Sequence, residues 1–247
     1  MKYYGISDKG IVRKENQDCF SIEEIGDVLL LVVCDGMGGH AAGRLASHLA
    51  DEAFRNYVRG KLTSRIRRFM DTRKILQDGC REANSIILQY SEMSEEYAGL
   101  GTTLVGGILS ESGTSYLVNV GDSRAYQLSA GRKTIVQITE DHSLVQTYVN
   151  AGLITKEEAR THPRKNIITR ALGGDVYEDA DIFEVKMQSG DMLLFCSDGL
   201  SNFVTDDEIL QTYLLHPNTE ECCRDLLSQT YARGAGDNVT IAVVVKP

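Results

Sequence analysis

Three aspartates adjoin apolar, strand-like runs in segments far apart along the chain. Asp35 follows Val28–Cys34, Asp198 follows Met192–Ser197, and Asp237 lies just before Val239–Val245. An ionised carboxylate beside a buried strand is costly unless something positive meets it. No regularly spaced Lys or Arg accompanies any of the three. Coordination of a hard cation by carboxylate oxygens answers that cost, and it points to Mg²⁺ or Mn²⁺. One such aspartate carries little weight, because Asp-Gly pairs usually mark turns. The recurrence carries the reading.

Three further segments bear chemistry. Gly36-Met37-Gly38-Gly39-His40-Ala41 fits the glycine fingerprint of dinucleotide-binding loops. Such a unit needs a second parallel strand soon after its helix, whereas the next clear strand here begins near Thr102. The other use of these glycines is to let the Gly36 carbonyl approach a cation held by Asp35. In Arg13-Lys14-Glu15-Asn16-Gln17-Asp18, the arginine offers a planar fork suited to phosphate oxygens and Asp18 is placed to orient metal-bound waters. Taken alone, that hexapeptide reads as an ordinary polar loop. Gly121-Asp122-Ser123-Arg124 reads either as a hairpin turn with an Asp-Arg pair or as a fourth carboxylate at a strand end.

The elements that must position these groups follow from pattern. Runs rich in Val, Ile, Leu, Tyr and Thr predict strands near 2–6, 28–34, 102–109, 115–120, 124–128, 134–138, 181–187, 191–196 and 239–245. Strands in the middle of the chain follow one another without helices, which favours antiparallel pairing. Helical spacing of Leu45, Leu49, Ala53 and Tyr57 predicts a helix from Ala41 to Val58, and that of Leu76, Cys80, Ala83, Ile87 and Tyr90 a second from Lys74 to Tyr90. Thr155 with Glu158, Thr205 with Glu208, and Asn218 carry start signals for later helices, and Gly234 a stop. The expected architecture is α+β, a layered α-β-β-α sandwich with two antiparallel sheets flanked by helices. One domain over 1–247 is expected, with a small inserted element at about 141–175, where apolar periodicity is weakest.

The chain has 247 residues and a formal net charge of −9, which argues against non-specific binding of nucleic acid or anionic lipid. No apolar run approaches the roughly 18–20 residues that span a bilayer. The six cysteines show no zinc-ligand spacing, and several lie in apolar runs as small hydrophobes. A soluble, reduced, cytoplasmic protein is expected. The basic stretch from Arg59 to Lys74 reads as a solvated helix face or connector, with docking of an acidic or phosphorylated partner as the alternative.

Arg13-x-x-Asn-x-Asp18, Asp35-Gly-Met-Gly-Gly-His40, Gly101-Thr-Thr103, Gly121-Asp-Ser-Arg124, Ser197-Asp-Gly-Leu200 and Gly236-Asp-Asn238 occur in this order. Over essentially the whole chain, the sequence resembles the metal-dependent Ser/Thr protein phosphatases of the type 2C class, in their compact bacterial branch. The resemblance implies hydrolysis of phosphoserine and phosphothreonine in proteins by direct attack of a metal-bridging hydroxide. It implies two Mn²⁺ or Mg²⁺ ions, with Asp35 bridging them, Asp198 and Asp237 completing the first site, and the Gly36 carbonyl and waters held by Asp18 serving the second. A third, weaker ion would fall to Asp122 and Asp198. Arg13 would grip the phosphate, and His40 is the candidate proton donor, against a structural loop histidine. His142 and His162 read as packing or flap residues. Met37 replaces the histidine that eukaryotic relatives carry after Asp-Gly, Gln17 replaces their Glu, and Arg44 stands where bacterial sequences commonly have Glu. The expected partners are phosphoprotein substrates and an opposing Ser/Thr kinase, and the chain is expected to be a monomer. Two rival readings are a catalytically silent phosphoprotein-binding or metal-sensing relative, and a phosphoesterase of small phosphates.

Overall fold

The computed structural model describes residues 1–38, 40–63, 71–97, 99–174 and 177–247. One sheet has the order β1 (Lys2–Asp8), β11 (Val239–Val245), β10 (Asp191–Cys196), β7 (Arg124–Ser129), β8 (Thr134–Gln137). The other has the order β2 (Asp18–Ile25), β3 (Val28–Met37), β5 (Leu104–Ser110), β6 (Ser115–Val120), β9 (Asp181–Val185), with the two-residue β4 (Gly101–Thr102) paired to the end of β3. The strand pairs are antiparallel, as expected from the sequence.

The central strands are apolar on both faces because each face meets a different layer. From β3, Leu30, Val32 and Cys34 join a cluster with Phe54, Val58 and Leu76 of two long helices, α1 (His40–Leu62) and α2 (Thr72–Ser91). The alternate residues Leu29, Leu31 and Val33 meet Leu193 and Phe195 of β10 and Ala242 and Val244 of β11. On the far side, Met192, Leu194, Ile241 and Val243 pack under α5 (Asp198–Ser201), α6 (Asp206–Leu215) and α7 (Thr219–Ala232). Three apolar clusters thus bond four layers.

The helix signals hold. Thr155 and Thr205 both form full capping boxes with Glu158 and Glu208, opening α4 (Lys156–Thr161) and α6. The Asn218 side chain accepts from the Glu220 and Glu221 amides at the start of α7, and Gly234 turns the chain after it at φ 103°. β2 and α3 (Leu144–Asn150) are among the elements that escaped the pattern reading. β2 mixes Asp, Ser and Glu with apolar residues, and its polar face is satisfied by α1: Ser21 bonds Asp51, and Glu23 takes both donors of Arg59 at 2.6 and 2.7 Å. The short α3 is capped by Ser143.

Two expectations need correction. Gly121–Ser123 is not a hairpin turn, because β6 and β7 belong to different sheets. It carries the chain across the sandwich, with Gly121 at φ 111°, where a Cβ would collide with the Thr103 side chain. Arg124 does not pair with Asp122; its guanidinium takes Asp141 in a fork, with bonds from 2.7 to 3.0 Å. In the basic stretch, residues 64–70 lie outside the described set. Arg59, Arg73 and Lys74 form ion pairs within the chain, with Glu23, Glu184 and Asp78.

Candidate metal centre

Five aspartates predicted from sequence converge at one end of the sandwich, each delivered by a different strand end. Asp18 and Asp35 face each other in the β2–β3 register. Asp198 follows β10 and Asp237 precedes β11, two strands paired side by side. Asp122 comes from the crossover between the sheets. The sheets are stitched together here by hydroxyls: Ser197 Oγ and Thr240 Oγ1 both donate to Asp18 Oδ2, at 2.7 and 2.8 Å.

The electrostatics are those of crowded anions. Burial pushes the Asp18 carboxyl up to about 7, with the Asp198 charge adding to it and the Ser197 and Thr240 bonds opposing it. Burial raises Asp122 to about 8, reinforced by Asp198 and Asp141. Asp198 rises to about 6 through burial and then Asp237, with Lys165, Arg124 and Arg13 pulling the other way. Asp35 is raised well above the ordinary range by burial and then by all four other acids. Such a cluster holds protons, or it holds cations.

The donor set fits hard divalent cations. Asp18 Oδ1 and Asp122 Oδ1 are buried without a hydrogen-bond partner, and buried carboxylate oxygens rarely stay unpaired. Two of the other acids, Asp237 and Asp198, are turned toward neighbours. Arg13 Nη2 donates to Asp237 Oδ2 at 2.7 Å, and Asn202 Nδ2 donates to Asp198 Oδ2 at 2.9 Å. Accordingly, among the described residues no three His, Cys, Asp or Glu side chains are already gathered around one point. Ion binding would exchange these bonds for coordination.

Glycines set how closely the backbone approaches. A Cβ on Gly36 would collide with the Gly43 carbonyl of α1 and press on the Gln17 carbonyl, so strand, loop and helix meet there with no room for a side chain. A Cβ on Gly199 would strike the Asn238 carbonyl, which fixes Asp198 against the Asp237 segment.

Arg13 sits at the rim, 51% exposed, its charge toward Asp237. The partner missing from the local sequence of Asp237 thus arrives from 224 residues away. His40 opens α1, but its side chain lies outside the described residues. His142 is a buried tie: its Nδ1 accepts from the Gly121 amide at 3.0 Å and its Nε2 meets Asp181 at 3.1 Å. His162 sits edge-on to Tyr148. Arg44 is exposed.

Sequence reasoning missed the frame around the acids. Asn238 accepts from the Gln17 amide and donates to the Lys9 and Glu15 carbonyls, lashing the Arg13 loop to the start of β11. Thr103 Oγ1 accepts from the Asp35 amide and shares a hydrogen bond with Ser123 Oγ. Lys165, from the segment after α4, bonds Asn202 at 3.2 Å and so stands behind Asp198. Asn238 and Thr103 lay inside short motifs and were visible as words; Lys165 had no signal.

A sequence profile described as protein phosphatase 2C matches residues 11–232. The serine/threonine phosphatase stp of Listeria monocytogenes serotype 4b is 37% identical over 239 residues, covering 96% of this chain and 93% of that protein. The crystal structure of the Mycobacterium tuberculosis serine/threonine phosphatase PstP/Ppp superposes with a TM-score of 0.84 at 36% identity, covering 98% of this chain and 97% of that one. A structure of the PstP catalytic domain in complex with two manganese ions superposes at a TM-score of 0.82 and 36% identity, covering 98% and 96%.

Proposed function

The chain belongs to the protein phosphatase 2C family, and from that premise we propose how its own residues serve phosphate-ester hydrolysis. It is a metal-dependent serine/threonine protein phosphatase. Asp35, Asp198 and Asp237 would hold one divalent cation; Asp35, the Gly36 carbonyl and waters oriented by Asp18 would hold a second. Asp122 and Asp198 would hold a third, weaker one. Bound divalent cations supply Lewis acidity toward the phosphoryl oxygens and lower the pKa of a coordinated water.

The chain's own groups do the rest. Arg13 holds two phosphoryl oxygens and offsets charge as a water oxygen bonds to phosphorus and the P–O bond to the serine or threonine breaks. Asp237, its present partner, would be among the residues that hold the cation. A proton must reach the leaving oxygen, and His40 is our candidate donor. The six described cysteines are buried and free, and no covalent intermediate is invoked. The segment 141–175 acts as a flap beside the site on a single catalytic domain. Phosphoproteins are the substrates, an opposing kinase supplies them, and the chain acts as a monomer in the cytoplasm. No helix is long and apolar enough to cross a membrane among the described residues.

One observation carries the reading: five acids from five strand ends crowd together with two buried oxygens unpartnered. A phosphoprotein-binding module has no use for that cost. The test is turnover of a phosphothreonine peptide against a panel of nucleotides, with EDTA and with Mn²⁺ or Mg²⁺ restored. Asp35→Asn should lose nearly all activity while its fold survives. Sustained hydrolysis in chelator, with metal content verified as nil, overturns the reading; preference for nucleotides transfers it to small phosphates.

A further inference from the structure

Beside the acidic cluster opens a cleft of about 890 Å³. Asp122 and Asp198 are part of its lining. Val145, Val149 and Arg160 of the α3–α4 segment line it too, as does the stretch from Ile135 to Asp141. Every residue of that stretch borders the cleft. The first three of them belong to β8 and the rest to the chain that follows it. Successive side chains of a strand point to opposite faces, so a cleft that touches Ile135, Val136 and Gln137 follows the strand's edge and not one of its faces.

β8 is the last strand of its sheet, and no described strand pairs with its outer side. The Ile138 amide donates to the Ala125 carbonyl at 2.8 Å. By the alternation of antiparallel pairing, the N–H and C=O groups of Ile135 and Gln137 therefore turn away from β7, toward the cleft. An open edge of this kind pairs readily with extended chain.

Resting on the phosphatase reading above, the geometry points to the β8 edge as a substrate-docking strand. The extended polypeptide flanking the phosphorylated residue adds to β8, with its phosphoryl group beside Asp122 and Asp198. Polypeptide is the fitting occupant because the cleft that Asp122 and Asp198 line is lined also by seven consecutive residues from Ile135 to Asp141, far more than a small phosphate would fill. Its walls carry both signs of charge, Lys156 and Arg160 against Asp206 and Asp207. Main-chain pairing, which ignores side-chain identity, suits such a wall better than a single charged motif does.

The test uses the Mn²⁺-loaded full chain and one phosphothreonine peptide, N-methylated at one backbone position at a time, with an aryl phosphate as the reference substrate. Methylation at alternate positions on one side of the phosphothreonine should raise KM roughly threefold to tenfold, the scale of one lost backbone hydrogen bond. The intervening positions should have little effect. Equal sensitivity at consecutive positions, or none anywhere, overturns the docking strand. If peptides are insensitive and sedimentation shows a dimer, the edge belongs to a second copy and the proposal fails. If no phosphopeptide turns over while the aryl phosphate does, the protein-phosphatase reading falls first and the docking strand falls with it.

Discussion

At the scale of single residues, the acids divide by what already holds them. Asp237 and Asp198 have ready donors in Arg13 and Asn202, whereas Asp18 and Asp122 each keep a buried oxygen unpaired. This distinction makes Asp122→Ala informative. Arg124, its nearest basic neighbour in sequence, is committed to Asp141, so Asp122 does not brace the crossover as an ion pair. The variant should lose no melting temperature in chelator, yet need several-fold more Mn²⁺ for half-maximal activity. A lowered melting temperature with unchanged Mn²⁺ dependence would end the third-ion assignment and leave the two-ion site standing. Arg13→Ala should mainly raise KM. A charged, forked phosphate contact contributes roughly 1.5–3 kcal/mol, or about tenfold to a hundredfold in kcat/KM. Equal kinetics on a phosphopeptide and an aryl phosphate would remove Arg13 from the site.

At the scale of elements, what was legible depended on whether the signal was local. The apolar runs of β3, β10 and β11, buried on both faces, gave both the strands and the three aspartates beside them. β2 was not legible, because its Ser21 and Glu23 read as loop until α1 supplies Asp51 and Arg59. The crossover at Gly121 read as a hairpin because nothing local says which sheet the next strand joins. The Ser197 and Thr240 bonds to Asp18 span 179 and 222 residues, so the frame of the site appears only once both sheets are assembled. Gly199 tests that frame. Its added Cβ in Gly199→Ala meets the Asn238 carbonyl, and overpacking of this kind costs about 1–3 kcal/mol. The melting temperature should fall by several degrees. Activity should fall further than stability alone explains, because Asn238 also holds the Arg13 loop through Lys9, Glu15 and Gln17. Wild-type kinetics in a folded Gly199→Ala protein would show that the loop does not depend on that contact.

At the scale of the whole molecule, the acidic cluster lies where both sheets end, so its charge bears on the stability of the sandwich as well as on chemistry. Burial holds the Asp198, Asp18 and Asp122 carboxyls up at about 6, 7 and 8, against about 3.9 for aspartate in an unfolded chain. The folded protein without cations therefore binds more protons than the unfolded chain between those limits. The resulting stability is fully present below about pH 4 and is lost as pH rises through the folded-state values. In chelator, the urea midpoint should accordingly fall between about pH 5 and pH 8. Cations bind the ionised cluster and not the unfolded chain, so Mn²⁺ should raise the midpoint, and raise it more at pH 8 than at pH 5. Asp122→Asn removes the group with the highest of the three values and should flatten the upper part of the profile. A midpoint that rises with pH in chelator would mean that these acids are already paired in the folded protein, and that the cluster's cost, on which the cation reading rests, does not exist.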